Sequence, residues 1–227
     1  EGKQGADVFA LAFGLVPEGK REKVFAALLG HLEKVNYHFD TGILATPLLL
    51  QVLTENGRAD LAYKLMNQRD FPSYGYLADK KNNTLWETWN GDGNDEGCGH
   101  CHPMFGSVVA WFYHSLAGIK PDQSDPGMKH FYIEPMIVPD LKYCRATYDS
   151  QYGKISSDWK IDENGNLNLK IEVPANTSAT VIIPDWGGRT VLESGKPVSE
   201  VSNIVIDKVD SARMKVSSGV YHFVILK

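Results

Sequence analysis

Residues Thr46–Met66, "TPLLLQVLTENGRADLAYKLM", decide the fold. The first half of the stretch is apolar at nearly every position. The second half places Leu61, Ala62, Leu65 and Met66 on one face. Thr46 suits an N-cap and Pro47 the first helical position, which predicts a helix over 46–54. A second helix is expected over 58–68. A helix apolar all round is buried all round, whereas an amphipathic one lies at a surface. Alternation of the two kinds therefore points to an inner and an outer layer of helices.

Working outward, the same alternation continues. Ala6, Phe9, Ala10 and Phe13 recur at helical spacing, predicting a helix over 5–15 that ends at Pro17 and Gly19. Val24, Leu28 and Leu32 mark an amphipathic helix over 20–35. Another largely apolar helix should open at Pro103 and run to about Ala117. If inner helices run in one direction, the loops before them open at one mouth. "NYHFDTGILAT" (36–46) and "WETWNGDGNDEGCGHCH" (86–102) should then face each other. Most of the second lies in a long loop over 70–100, of a length usually reserved for function or disorder. Its aromatics Phe71, Tyr74, Tyr76, Trp86 and Trp89 argue against disorder.

After Asp125 the pattern changes. "KHFYIEPMIV", "GKISSDWKID", "NLNLKIEV", "SATVIIP" and "GVYHFVIL" are β-branched and aromatic, and "PANTS" and "DWGGR" read as turns between them. Asn164-Gly165 marks a hairpin. Two domains are expected, a helical one over 1–124 and an antiparallel β-sandwich over 125–227.

Bulk properties narrow the function. The chain has 227 residues, 43% hydrophobic and 22% charged, with a net charge of −5. No basic stripe appears, which excludes nucleic acid as a partner. The longest apolar runs fall short of a membrane span, so no membrane partner is expected. Three cysteines make no disulfide framework and leave the compartment unread. The chain opens without Met or a signal peptide, already inside a helical pattern, as a processed terminus or a cut through a larger protein would.

The chemistry gathers around Glu87, set between Trp86 and Trp89. A carboxylate in a partly apolar pocket is a common proton-transfer group. Indole faces also stack on sugar rings, whose hydroxyls bond carboxylates and imidazoles. The same residues would equally anchor a surface loop with Glu87 in water. Cys98, His100, Cys101 and His102 lie close together, but only one C-x₂-C pair is present and Cys144 stands alone, so no metal and no cofactor are expected. His102 precedes Pro103 at a helix start, where the dipole favours a neutral ring able to bond a hydroxyl, or simply to cap the helix. His38 and Asp40 stand at the facing loop with no role decided, and Thr41 reads as a turn residue. Asp92, Asp95 and Glu96 read as a solvated acidic turn rather than a calcium site.

At these residues a family becomes recognisable. "HFDTGILATPLLLQVLTENGRADLAYKLMNQRDFPSYGYL", "NNTLWETWNG", "HCHPMFGSVVAWFYHSLAGIKPD" and "PGMKHFYIEPMI", in this order, resemble the C-terminal part of bacterial α-L-rhamnosidases, glycoside hydrolase family 78. The resemblance covers nearly the whole chain. It implies the C-terminal half of an (α/α)6 barrel followed by a β-sandwich. It implies inverting hydrolysis of terminal α-L-rhamnosyl residues by two carboxylic acids. By resemblance Glu87 falls on the general base, His102 on a residue that contacts rhamnose, and Trp86 and Trp89 on the pocket wall. Cys101 stands where such proteins commonly carry Asn. The family's general acid lies in the first half of the barrel, outside this chain. The implied partners are a rhamnose-containing glycoside or polysaccharide and the missing N-terminal half of the barrel. Enzymes of this kind are often exported, which leans the expected compartment to periplasm or exterior. Three rival readings stay open: a non-catalytic carbohydrate-binding module, an (α/α)6 hydrolase for another sugar, and a half-barrel that pairs with itself.

Overall fold

The structure, a computed structural model, describes residues 3–80, 84–90, 99–184, 187–207 and 212–227. Its contacts divide the chain into two units, Glu1–Trp111 and Phe112–Lys227, ahead of the 124/125 boundary drawn from composition.

The first unit is helical: α1 (Gln4–Ala12), α2 (Arg21–Lys34), α3 (Ala45–Glu55), α4 (Ala59–Met66), α5 (Tyr74–Asp79), α6 (Pro103–Gly106) and α7 (Val109–Trp111). α3 is the element around which the others are placed. Its Leu49, Leu50, Val52 and Leu53 are fully buried, and it packs against α1 and α4. α1 turns Val8 and Leu11 inward, and α2 adds Leu28 and Leu32. Burying four such aliphatic side chains on α3 contributes about 1.5–3 kcal/mol each. Thr46 is not the N-cap of α3 but a buried residue of its first turn. Its hydroxyl bonds Thr41 Oγ1 at 2.7 Å and donates to the Gly42 carbonyl at 2.9 Å, so it ties the helix to the preceding loop. Phe13, Leu15, Leu44 and Val109 remain exposed in this unit.

Two departures from the sequence reading concern this unit. α5 lies inside the long loop, started by Ser73, whose hydroxyl accepts from the Tyr76 amide at 3.0 Å. The single helix expected over 103–117 is instead broken into α6, α7 and a π-helical turn, Phe112–Leu116, at the start of the second unit.

In the second unit the described strands form one nine-stranded sheet: β1 (Ile119–Pro121), β2 (His130–Ile133), β3 (Tyr143–Ser150), β4 (Gly153–Ile161), β5 (Leu167–Ile182), β6 (Val191–Glu193), β7 (Lys196–Pro197), β8 (Ile204–Ile206) and β9 (Arg213–Ile225). The wholly antiparallel expectation requires correction, because β2 runs parallel to β5. Parallel pairing needs a crossover rather than a tight turn, and the β3–β4 hairpin provides it. "NLNLKIEV" and "SATVIIP" are one continuous strand rather than two. "PANTS" is not a turn between strands but an irregularity in β5, where the register against β9 shifts between Val173 and Ser178. Before the shift β5 pairs with β4, and after it with β2.

Trp159 lies at the centre of this unit's core, fully buried with Phe131, Ile133, Ile155, Leu169 and Phe223. Its indole N–H donates to the Leu116 carbonyl at 2.7 Å, and Ser157 Oγ donates to the Ala117 carbonyl at 2.7 Å. Gly118 follows with φ 77°, and a Cβ there would lie 2.2 Å from the Glu134 backbone. Glycine is therefore required at that position. Trp159→Phe should leave the Leu116 carbonyl without its donor and destabilise the chain by about 1–3 kcal/mol in urea unfolding.

Candidate functional site

Glu87 is held by backbone pairing between two short segments of the first unit. The Glu87 amide donates to the Gly99 carbonyl and the His102 amide to the Leu85 carbonyl, both at 2.8 Å. Thr84 Oγ1 also donates to the His100 carbonyl. The segments run past one another in opposite directions. The Glu87 carboxylate folds back on this pairing, its Oε2 accepting from the Gly99 amide at 2.9 Å. A Cβ built on Gly99 would stand 3.2 Å from Glu87 Oε2 and 3.7 Å from His102 Cδ2. The carboxylate and the imidazole therefore flank the same glycine, no farther apart than the sum of those two distances.

His102 is the N-cap of α6, its Nδ1 accepting from the Met104 amide at 3.4 Å. An accepting Nδ1 carries no proton, which leaves Nε2–H as a donor. Glu87 and His102 are both half-buried.

The two tryptophans differ. Trp86 lies flat on His100, centroids 3.9 Å apart and planes within 9°. Trp89 is packed into a cluster: 4.9 Å from Phe39, 5.2 Å from Tyr74 and 4.4 Å from Phe105. Its indole N–H donates to the Thr41 carbonyl at 2.8 Å. The structure thus brings the 36–46 and 86–102 loops together, and Trp89 joins them. Tyr74, which the sequence marked only as one of several loop aromatics, completes the cluster. Its hydroxyl donates to the Phe105 carbonyl at 2.9 Å, and burial pushes its pKa well above the ordinary tyrosine value, so it stays protonated. Gly99 and Gln4 were missed. No residue pattern marked them, since the Gly99 amide and the Gln4 side chain meet their partners only in the folded chain.

The facing loop is tightly held. The buried Gln4 side chain donates to the His38 carbonyl and accepts from the Asp40 amide, both at 3.0 Å. His38 is itself buried. Its Nδ1 donates to the Val35 and Asn36 carbonyls at 3.0 and 3.1 Å, and its Nε2 meets Asp70 Oδ1 at 2.9 Å. Burial alone would lower the His38 pKa. The Asp70 hydrogen bond and charge, with the two carbonyls, outweigh it and raise the pKa above 6.5. His38 in turn holds the exposed Asp70 carboxyl below its usual range. Asn36 and Tyr37 carry this loop through φ of 50° and 57°, and both carbonyls accept from Gln68 Nε2. Asp40 points its residue surface to solvent.

Cys98, Asp92, Asp95 and Glu96 lie outside the described residues. Cys101 is exposed and free. Among the described residues no cluster of three metal-ligating side chains occurs, and no helix is long and apolar enough to cross a membrane.

The model of the bacterial alpha-L-rhamnosidase 6 hairpin glycosidase domain matches residues 1–116, and that of the bacterial alpha-L-rhamnosidase C-terminal domain matches 118–196. An α-L-rhamnosidase of Streptomyces avermitilis is 38% identical over 187 residues, 80% of this chain and 18% of the relative. One from Formosa agariphila is 32% identical over 228 residues, 97% and 24%. Among solved structures, the α-L-rhamnosidase of Dictyoglumus thermophilum superposes with a TM-score of 0.88 at 35% identity, covering all of this chain and 26% of that one. The Streptomyces avermitilis enzyme complexed with L-rhamnose gives 0.83 at 34% identity, covering 97% of this chain and 21% of that one. The chain thus spans about a fifth to a quarter of the relatives it matches.

Two predictions follow from the geometry. A raised folded pKa means that the His38 contribution is complete below the ordinary 6.5 and is lost as pH rises through the folded value. The His38 NMR titration midpoint should lie above 6.5, with thermal stability declining across that window, and Asp70→Asn should lower the midpoint and flatten the decline. Gly99→Ala should press on the Glu87 carboxylate and shift its NMR signal while leaving the helical circular dichroism intact.

Proposed function

The chain belongs to the bacterial α-L-rhamnosidase family, and from that premise we propose that it supplies the general-base side of an inverting rhamnosidase site. The one observation that carries this reading is the Glu87 carboxylate anchored by the Gly99 amide beside His102. Oε2 takes the Gly99 N–H. The other carboxylate oxygen has no hydrogen-bond partner among the described residues, so it is the one left to accept a proton. In the proposed reaction a water molecule gives that proton to Glu87 and attacks the anomeric carbon of a terminal α-L-rhamnosyl residue from the face opposite the leaving oxygen. A second carboxylic acid protonates that oxygen, and inversion follows from the opposite-face attack. The two carboxyls of such a pair stand roughly 6.5–9.5 Å apart, leaving room for the water.

His102 Nε2–H would donate to a rhamnose hydroxyl. Trp86 would present the outer part of the pocket wall. Trp89, committed to Thr41 and three rings, would support the wall from behind rather than stack on the sugar. The substrate is a rhamnose-containing glycoside or polysaccharide, a reading supported by the L-rhamnose complex of the Streptomyces avermitilis relative. The general acid belongs to chain beyond these 227 residues, in the complementary half of an (α/α)6 barrel. The exposed Phe13, Leu15 and Leu44, at or beyond helix ends, and Val109 on α7 support that arrangement, since exposed apolar side chains mark surface that neighbours can cover. The second unit is the accompanying β-sandwich.

In the full-length enzyme, Glu87→Gln should lower kcat on an aryl α-L-rhamnoside by roughly 10²–10⁴-fold, the usual worth of a positioned base, with unchanged circular dichroism. An unchanged rate would remove Glu87 from the mechanism. The 227-residue chain by itself should show no turnover.

A further inference from the structure

Gln4 stands on the first turn of α1, 1% exposed, on the same buried face as Val8 and Leu11. A buried amide is costly unless both of its ends are bonded. Both are bonded here, and both to backbone. Nε2 donates to the His38 carbonyl and Oε1 accepts from the Asp40 amide, each at 3.0 Å. Residues 38–42 belong to no helix and no ladder. Gln4 thus does for this stretch what a neighbouring strand would do, taking up backbone groups that have no regular partner.

The two bonded groups bracket Phe39. That ring is buried and stacks on the Trp89 indole, centroids 4.9 Å apart and planes within 17°. The residue after Asp40 is Thr41, whose carbonyl accepts from the Trp89 indole N–H at 2.8 Å. The loop therefore grips Trp89 at two points, Phe39 and Thr41, and the Gln4 amide fixes the backbone between and beside them. Trp89 lies two residues after Glu87. Its other ring neighbours, Tyr74 and Phe105, hold it from elsewhere in the unit and do not touch the 38–41 backbone by any hydrogen bond of theirs, since the Tyr74 hydroxyl goes to the Phe105 carbonyl.

We propose that Gln4 is a positioning residue for the reacting carboxylate: its amide fixes residues 38–41, these fix Trp89, and Trp89 sets the direction of Glu87. This role rests on the reading of Glu87 as the general base. An apolar side chain of equal length would fill the same space, but the His38 carbonyl and the Asp40 amide would lose their partners and the stretch would be free to shift. A residue that merely stabilised α1 would change the melting temperature and leave the geometry at Trp89 alone.

Three variants separate the two roles. Gln4→Met keeps the length of the side chain and removes both bonds. Gln4→Glu is nearly isosteric. Burial keeps its carboxyl neutral at about pH 5, where O–H can donate to the His38 carbonyl and C=O can accept from the Asp40 amide. Val8→Ala weakens the packing of α1 and spares the amide. In NMR spectra of the 227-residue chain, Gln4→Met should move the Trp89 indole N–H signal and speed its exchange with solvent at least tenfold. Val8→Ala should leave that signal in place, as should Gln4→Glu at about pH 5. Raising the pH ionises the introduced carboxyl and removes its donor, so the Gln4→Glu signal should then move, beyond any change that His38 titration causes in the unaltered chain. This second variant decides the matter if Gln4→Met does not fold. In the full-length enzyme, Gln4→Met should lower kcat about 10–100-fold, the usual effect of a small misplacement, with KM within about twofold. Gln4→Glu should regain most of the rate at about pH 5, and Val8→Ala should melt earlier at unchanged kcat. An unmoved indole signal in Gln4→Met overturns the proposal, as does full kcat in that variant where Glu87→Gln is slow, or a Gln4→Glu enzyme no better than Gln4→Met. The NMR measurement needs no turnover, so a Glu87→Gln enzyme at the unaltered rate sinks the general-base reading alone.

Discussion

The bond from the Trp89 indole to the Thr41 carbonyl is the constraint on which the candidate site depends. It joins two loops far apart in sequence, one leading into the buried α3 and the other into α6, which buries Phe105. A single hydrogen bond of this kind contributes only about 0.5–1.5 kcal/mol net. Here it is backed by apolar packing, because the same indole is pressed against Phe39, Tyr74 and Phe105. Phe39 and Phe105 are fully buried, so the ring cannot leave without opening the core. Glu87 lies two residues before Trp89 and inherits that fixed position.

Each loop is then held on its own far side. Gln4 clasps the backbone around His38 and Asp40 through both ends of its amide, and His38 engages Val35, Asn36 and Asp70. On the other loop, the pairing of 85–87 with 99–102 sets the carboxylate against a backbone amide. Backbone groups therefore do most of the positioning, and the Glu87 carboxylate keeps one oxygen without a hydrogen-bond partner among the described residues. This division suits a site that must be rigid yet chemically available.

How far this was legible in the sequence depended on the range of the forces involved. The apolar α3 and amphipathic α4 were plain, because periodicity reports burial directly. The Trp-Glu-x-Trp loop and its meeting with the 36–46 loop were also legible, from the direction inner helices must run. α5 was hidden by its single turn and a half and by the aromatics that read as loop anchors. The break of the helix after Pro103 was hidden because "FGSVVAWFYHSL" is apolar and continuous in pattern, whatever its hydrogen bonding. "PANTS" carries every mark of a turn, yet pairing with β9 on both sides of it holds β5 in one strand. Trp89 was expected at the pocket wall. Only the folded chain reveals that its ring also packs against Phe39, Tyr74 and Phe105.

The irregular β5 has a kinetic consequence. Leu167 pairs with Ile225 and Ile182 with Arg213, so both arms of this strand depend on partners from a much later part of the chain. Such distant pairing has to wait for a long loop to close, which slows the search for the native state. Until β9 arrives, β5 presents an open apolar edge to any strand nearby. The hairpin of β3 and β4 covers the other edge of its first arm, and β2 that of its second. During synthesis the edge that awaits β9 is thus where this unit is most open to mispairing, and a chaperone that shields it would act on that slow closure.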